Sequence, residues 1–275
     1  MRALRRAAAL HDEFGSAARA AEYRARADAV VANAQQPVAA GGYWNGAYFI
    51  TNVNVSGRAS DEGVWQDDQL NAIFVGVATP TQTAAIYARI DAAPAFWEGV
   101  ASRWGNLSIA QPSPRFAETW FGRLGAIGVL GRYAQAQPDR GLALLRSFAV
   151  AAAATNDIYE SYTMTGALGG DAGADYLEHC AGAFLATLGG PFGVSFDSDA
   201  AAAATVAPAF PAAWPAARAR FILRGTTVCV DFSAGALGVT AHGAPQRVRV
   251  RWAGSERIDV VGGDAPTVCE EPGAF

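Results

Sequence analysis

The sequence predicts a mainly α-helical body of repeated helix–loop–helix hairpins, followed by a small antiparallel β module. Three observations carry that expectation. Apolar residues recur at helical spacing through most of the first two-thirds of the chain. Short breaks marked by Pro and Gly separate those stretches, which is the pattern of αα-hairpins. Beyond Pro208, Pro211 and Pro215 the period changes to the alternation of strands.

The elements follow in order. Residues 2–36 are rich in Ala and Arg, good helix formers, with Gly15 as the main breaker. Pro37 and Gly41-Gly42 end that segment. Residues 43–66 are aromatic and rich in Asn and Gly without a sustained period, so they read as a long loop in which Tyr48-Phe49-Ile50 is extended. Helical spacing returns at Leu70, Ile73, Phe74 and Val77. Thr79 then suits an N-cap and Pro80 the first position of a helix over 80–91. The clearest stripe, Phe116, Trp120, Leu124, Ile127, Leu130 and Ala134, predicts a helix over 115–136. Gly122, Gly125, Gly128 and Gly131 lie in it at spacing three, which points to close approach of a neighbouring helix. Gln137-Pro138-Asp139 breaks the chain before a helix over 139–154. A polar, Gly-rich loop spans 156–175. The last long helix, 175–189, stops at Gly189-Gly190-Pro191. Residues 199–205 predict a short Ala-rich helix. The alternating runs at 228–232, 248–252 and 258–260, punctuated by glycines, predict a module of four or five antiparallel strands. The domain reading is a helical body over 1–207 and a β module over 208–275, the latter close to the lower size limit for folding alone.

Composition excludes several classes of function. Of 275 residues, 51% are hydrophobic and 17% charged, which excludes a disordered chain. The net charge is −4 and every basic residue is Arg, with no basic cluster. Such a chain is poorly suited to nucleic acid or to a membrane surface. No apolar run approaches the ~18 residues of a membrane span. Met1-Arg2-Ala3-Leu4-Arg5-Arg6 has the look of a signal n-region, but its apolar stretch ends at Leu10, too early for an h-region. Cys180, Cys229 and Cys269 are too few and too scattered for a disulfide framework or a zinc site, and are expected to be reduced thiols in the cytoplasm. Asn54 and Asn106 match a glycosylation pattern by chance on that reading.

The chemistry must come from carboxylates and aromatics. No dinucleotide or phosphate loop, no HExxH and no GxSxG occurs, and His11, His179 and His242 lie far apart. No metal site or cofactor is therefore expected. Carboxylate pairs with aromatic platforms are the equipment of glycoside cleavage. Two loops carry them. In Asp61-Glu62-Gly63-Val64-Trp65-Gln66-Asp67-Asp68-Gln69, acids and Trp65 stand just before a helix, where Asp67 or Asp68 could equally cap it. In Asn156-Asp157-Ile158-Tyr159-Glu160-Ser161-Tyr162, Glu160 sits between Tyr159 and Tyr162 on a loop, where functional groups concentrate. Trp44 and Trp65 are candidates for stacking on a sugar or for packing on the helices. Trp120 and Trp214 lie in apolar context and read as partly core. His179 is either a helical structural His or a partner for a sugar hydroxyl.

At these residues a resemblance enters. The succession of hairpins, the segment 157–166, the Gly-rich loop after it and Tyr176-Leu177-Glu178-His179-Cys180-Ala181-Gly182 look like the end of an (α/α)6-barrel, or six-hairpin, glycosidase. Trehalase-like members carry a Glu-Lys-Tyr-Asp segment with a Thr-Gly run before the last helix. Rhamnosidase-like members carry a Trp-Glu followed by an Asn-His. Tyr159-Glu160-Ser161-Tyr162 and Glu178-His179 stand in the same order. The resemblance implies an incomplete (α/α)6 toroid followed by the small β module usual in the same clan, which includes disaccharide phosphorylases; Phe210-Pro211, Phe221-Ile222-Leu223 and Val228-Cys229-Val230 resemble that module. It implies that Glu160 is the general base of an inverting enzyme. Phe116-Ala117-Glu118-Thr119-Trp120 stands where trehalase-like sequences have a Gly-Trp that lines the sugar pocket, and the segment from Asp67-Asp68 resembles one in the same enzymes; with Trp65, Tyr159, Tyr162 and His179 from the residue reading, these are the expected substrate-binding residues.

The helices that can be read are too few to close such a barrel. An inverting mechanism needs two carboxyls about 6.5–9.5 Å apart, and Glu160 has no clear partner among Glu62, Asp67, Asp68 and Glu118. The chain is expected to be part of a longer enzyme that holds the general acid. The expected activity is inverting hydrolysis of an α-glucoside such as trehalose, or of an α-L-rhamnoside. Phosphorolysis on the same fold and non-catalytic carbohydrate binding are the alternatives.

Overall fold

A computed structural model describes residues 1–50, 52–53, 59–60, 66–92, 103–104, 119–155, 161–163, 177–196 and 202–263. The chain divides into two compact units, Met1–Gly131 with Ala143–Ala183, and Arg132–Leu142 with Phe184–Phe275.

The first unit opens with a helical hairpin, α1 (Arg2–Glu13) and α2 (Ala17–Gln35). The sequence pattern is continuous here, but Gly15 at φ +82° reverses the chain, a conformation that costs a residue without Cβ little. The antiparallel packing is held by Arg24 with Asp12, by Arg5 with Asp28 at 3.5 Å, and by His11 stacked on Tyr23 at 5.4 Å. Ala8, Ala20 and Ala27 form its buried contact, so the two backbones approach closely.

The aromatic loop after α2 is held by specific bonds. Trp44 bridges Pro37 on one side and Phe49 on the other. Asn45 Oδ1 accepts from the N–H groups of Ala47 and Tyr48, each at 3.0 Å, closing an Asx turn. Tyr48, Phe49 and Ile50 are extended and buried. Two short strands, β1 (Asn52–Val53) and β2 (Ala59–Ser60), pair antiparallel. Helices α3 (Gln66–Phe74) and α4 (Pro80–Ala92) follow. Thr79 Oγ1 accepts from the Gln82 N–H at 3.2 Å, and Gln82 Oε1 accepts from the Thr79 N–H at 3.0 Å. This reciprocal capping box, with Pro80 at the first helical position, is why α4 starts where it does. Phe49, Leu70, Ile73, Ile86 and Tyr87 form the core of this region, and Ile127 packs against it.

The strands β3 (Arg103–Trp104), β4 (Thr119–Phe121) and β5 (Ser161–Thr163) make a three-stranded sheet in the order β3-β4-β5. The expected helix over 115–136 is thereby shortened. Helix α5 runs over Gly122–Ala134, and Thr119-Trp120-Phe121 is a strand. β-Branched and aromatic residues suit a pleated surface, and pairing on both edges overrides the helical spacing. Helix α6 covers Pro138–Thr155 and α7 Leu177–Gly189. Of the glycine row of α5, Gly131 meets a close neighbour. A Cβ at Gly131 would lie 2.8 Å from Tyr87 Oη, and one at Gly182 of α7 would lie 3.2 Å from the Ala126 Cβ.

The second unit is built on a mixed sheet in the order β6 (Val194–Ser195), β7 (Ala204–Val206), β10 (Ala236–Trp252), β9 (Thr226–Ser233), β8 (Ala216–Leu223), with β11 (Ser255–Gly263) also on β10. Two expectations are corrected here. The Ala-rich stretch that reads as a short helix over 199–205 contributes Ala204–Val206 as a buried strand, which runs parallel to Val248–Val250 of β10. Intrinsic propensity yields to tertiary pairing. The module is therefore mixed, not purely antiparallel. The long strand β10 serves two ladders: 236–242 pairs with β9, and the part from Gly243 onward pairs with β11, with a register shift between Gly243 and Gln246. Val206, Phe221, Val228, Val230, Val248 and Val250 form the core. Phe210 closes one end of it, stacked on Phe232 at 4.5 Å and edge-on to Phe192 at 5.4 Å, with Trp252 at 6.0 Å. Trp214 lies 6.3 Å from Phe210, which fits its reading as partly core.

Cysteine chemistry differs from expectation. Cys180 is free, but Cys229, buried on β9, is disulfide-bonded to a partner outside the described residues. Among the described residues no helix is long and apolar enough to cross a membrane.

Candidate functional site

The three-stranded sheet brings together residues that are far apart in sequence. Its register pairs Arg103 with Trp120 and Trp120 with Tyr162. The neighbouring rows pair Trp104 with Thr119 and Thr119 with Thr163, and Phe121 with Ser161. Residues directly opposite in antiparallel strands share a face, with Cβ atoms about 5 Å apart. Trp120 and Tyr162 are thus adjacent positions on one face. Glu160 directly precedes β5 in the chain. Glu160, Tyr159 and Trp65 lie outside the described residues.

The acidic segment before α3 is placed by the helix itself. Asp67 and Asp68 fall in its first turn, where carboxylates complement the helix dipole. The Asp68 side chain is half-buried, its Oδ2 is shielded from solvent, and the residue takes part in a polar interaction. The next residue carries more structural weight than sequence reasoning assigns it. Gln69 is fully buried; its Nε2 donates to the Phe49 carbonyl at 2.8 Å and its Oε1 accepts from the Phe49 N–H at 2.9 Å. The side-chain amide thus replaces a strand neighbour for Phe49 and ties the aromatic loop to α3. A Gln on the apolar face beside Leu70 and Ile73 is the signal that could have revealed it. Above the same loop, the Arg89 guanidinium lies 5.0 Å from the Tyr48 ring centroid, in cation–π contact. His179 lies in the first turn of α7. Among the described residues no group of three or more His, Cys, Asp or Glu could hold a metal ion.

What these residues can do is bounded by their types. Trp and Tyr combine apolar area with a polar tip, and a carboxylate can accept a proton from water or from a hydroxyl group.

Comparison with solved structures bears on the fold alone. The GH78 family rhamnosidase of Bacillus sp. GL1 superposes with a TM-score of 0.61 at 18% identity, over 92% of this chain and 25% of that one. The chain shares the fold of part of a rhamnosidase. A human-microbiome protein named as a kojibiose phosphorylase aligns over 72% of this chain and 24% of its own, at 11% identity and a TM-score of 0.44, too distant to bear on the argument. The chain spans about a quarter of the length of each of these solved chains. No protein-family profile matches it. No curated protein matches it either.

Proposed function

We propose that this chain is part of an inverting glycoside hydrolase acting on an α-L-rhamnoside or an α-linked glucoside, with Glu160 as the general base. The observation that carries the reading is the register pair Trp120–Tyr162, formed on the strand that Glu160 enters. In the proposed mechanism the sugar ring rests on Trp120, and Tyr162 and His179 bond its hydroxyls. Trp65, Tyr159, Asp67 and Asp68 complete the binding surface. Glu160 deprotonates a water molecule, which attacks the anomeric carbon from the face opposite the leaving group. The general acid, about 6.5–9.5 Å from Glu160 in such a mechanism, is supplied by a longer protein. The fold match to a rhamnosidase supports a glycoside-active architecture.

The test uses substrates that do not need the acid. An aryl glycoside with a strongly acidic phenol, such as a 2,4-dinitrophenyl α-glucoside or α-L-rhamnoside, leaves without protonation and reports the base alone. The chain is expected to release the phenol above background, and Glu160→Gln to lower that rate by about 10²–10⁴. Equal rates for the chain and Glu160→Gln would reject the assignment. Turnover that requires inorganic phosphate would favour phosphorolysis, and sugar binding without any turnover would favour a non-catalytic role.

A further inference from the structure

Cys229 lies in the middle of β9, between Val228 and Val230, which are fully buried in the core. Side chains alternate along a strand, so Cys229 projects from the opposite, outer face. Its register partners there are Arg220 of β8, which is exposed, and Thr240 of β10, which is half-buried. Ile222, on the same face of β8, is 72% exposed. On this open face Cys229 is only 2% exposed, and it is disulfide-bonded. We propose that its partner is Cys269, that the bond ties the C-terminal segment to the outer face of the β module, and that the protein therefore matures in an oxidising compartment. The proposal is independent of the glycoside reading.

Two lines carry it. The chain has three cysteines and Cys180 lies outside any disulfide, so within the chain only Cys269 remains. The strands also bring the chain within reach. β11 ends at Gly263, which pairs with Gly243 of β10. A Cβ at Gly243 would lie 3.3 Å from the Thr226 Cα, so β9 is the next neighbour. Those two steps across cover about 10 Å, and the three residues from Thr226 to Cys229 roughly 10 Å more along the strand. The path is at most about 20 Å, and a disulfide itself spans about 4.4–6.8 Å between Cα atoms. The chain from Gly263 to Cys269, about six residues, reaches roughly 20 Å when extended. The bond also brings Glu270 and Glu271 to the face that carries Arg220. In forming it, two thiols lose two protons and two electrons. The oxidant is a second disulfide, that of oxidised glutathione or of a dithiol oxidase, which is reduced to two thiols. Such bonds persist in oxidising compartments and are rare in the cytosol. The closed loop, about 40 residues, encloses β10 and β11, so the bond constrains the unfolded chain across the longest strands of the sheet.

Peptide mapping tests the pairing. Every basic residue is Arg, so trypsin puts the three cysteines on separate peptides: Cys180 in 147–218, Cys229 in 225–247 and Cys269 in 258–275. The 275-residue chain is secreted into a bacterial periplasm, alkylated and digested without reduction. The expected result is 225–247 linked to 258–275, with 147–218 alkylated. A link to 147–218, a 225–247 peptide linked to itself, or alkylation of all three cysteines would overturn the pairing. Thermal melts test the need for an oxidising compartment. Reduction of the secreted chain and Cys269→Ser are each expected to lower the melting temperature by about 5–15 °C, and Cys180→Ser to leave it within about 2 °C. Shifts below about 5 °C on reduction would show that the fold does not depend on the bond and would overturn that part of the proposal. If Cys269→Ser does not fold, the comparison of oxidised with reduced chain serves alone.

Discussion

Replacing Gln69 should uncouple the aromatic loop from α3 at a cost that can be worked from the structure. Gln69 is fully buried and makes two bonds to one residue, donating to the Phe49 carbonyl at 2.8 Å and accepting from the Phe49 N–H at 2.9 Å. Gln69→Leu keeps the approximate volume and removes both partners of a buried peptide unit. Each orphaned group costs about 1–3 kcal/mol, partly offset by the apolar replacement, so a net loss of about 2–4 kcal/mol is expected. Gln69→Ala adds a cavity and should lose somewhat more. Gln69→Glu discriminates the mechanism. Its carboxylate can accept from the Phe49 N–H but faces the Phe49 carbonyl without a proton. Burial raises the pKa of such a group, so this variant should be most stable at acidic pH, where the protonated carboxyl can donate, and lose stability as pH rises through the raised value. Urea unfolding followed by tryptophan fluorescence measures all three. A Gln69→Leu variant within about 0.5 kcal/mol of the parent would refute the bidentate clamp.

Other predictions concern the second unit. Gly193 has φ +57°, and a Cβ there would sit 1.9 Å from the Ala207 carbonyl oxygen, so Gly193→Ala should cost about 3 kcal/mol or more in thermal or urea unfolding. Gly254 has φ +78° with open space around it, so Gly254→Ala should cost only about 1–2 kcal/mol in the same assay. Tyr133 packs against two glycines: a Cβ at Gly141 would lie 2.5 Å from its Cε2 and one at Gly190 2.8 Å from its Cδ2. Its buried hydroxyl has no hydrogen-bond partner among the described residues, so Tyr133→Phe should leave stability at neutral pH unchanged or slightly higher. Burial, with a smaller contribution from the Asp139 charge, raises the Tyr133 phenol from 10.0 to about 12. A raised acid pKa means the unfolded chain releases its proton first; the associated stability is fully present below pH 10 and is lost between about 10 and 12. Tyr133→Phe should flatten the alkaline loss of stability over that window. Thiol titration of the denatured chain should find one reactive cysteine before reduction and three after it, since Cys180 is free and Cys229 is bonded. Three before reduction would restore the reduced-thiol reading.

Local signals were legible where the physics is local. Thr79-Pro80 marked the start of α4 because the capping box and the fixed φ of proline act within one turn. Gly189-Gly190-Pro191 marked the end of α7 for the same reason. The stripe through Trp120 misled because helical spacing can arise in a segment whose first residues are strand, once partners from 103–104 and 161–163 are present. Those partners are remote in sequence, so the register that joins Trp120 to Tyr162 could not be read from either segment alone. The strand at 204–206 was hidden by its alanines, which favour helix until Val248–Val250 offers a ladder. The Gln69 clamp was visible only as an out-of-place polar residue, and the Cys229 disulfide not at all, since three scattered cysteines give no spacing to interpret. The carboxylate and aromatic candidates stand out by residue type alone.

The central claim is that the Trp120–Tyr162 row is a sugar platform, and fluorescence-detected titration of the chain with L-rhamnose and with trehalose tests it most directly. The account predicts saturable binding of at least one of them, weakened by about 1–2 kcal/mol in Trp120→Ala and unchanged in Trp214→Ala, whose tryptophan belongs to the aromatic cluster of the β module. Binding that survives in Trp120→Ala and is lost in Trp214→Ala, or no saturable binding of either sugar, would contradict it.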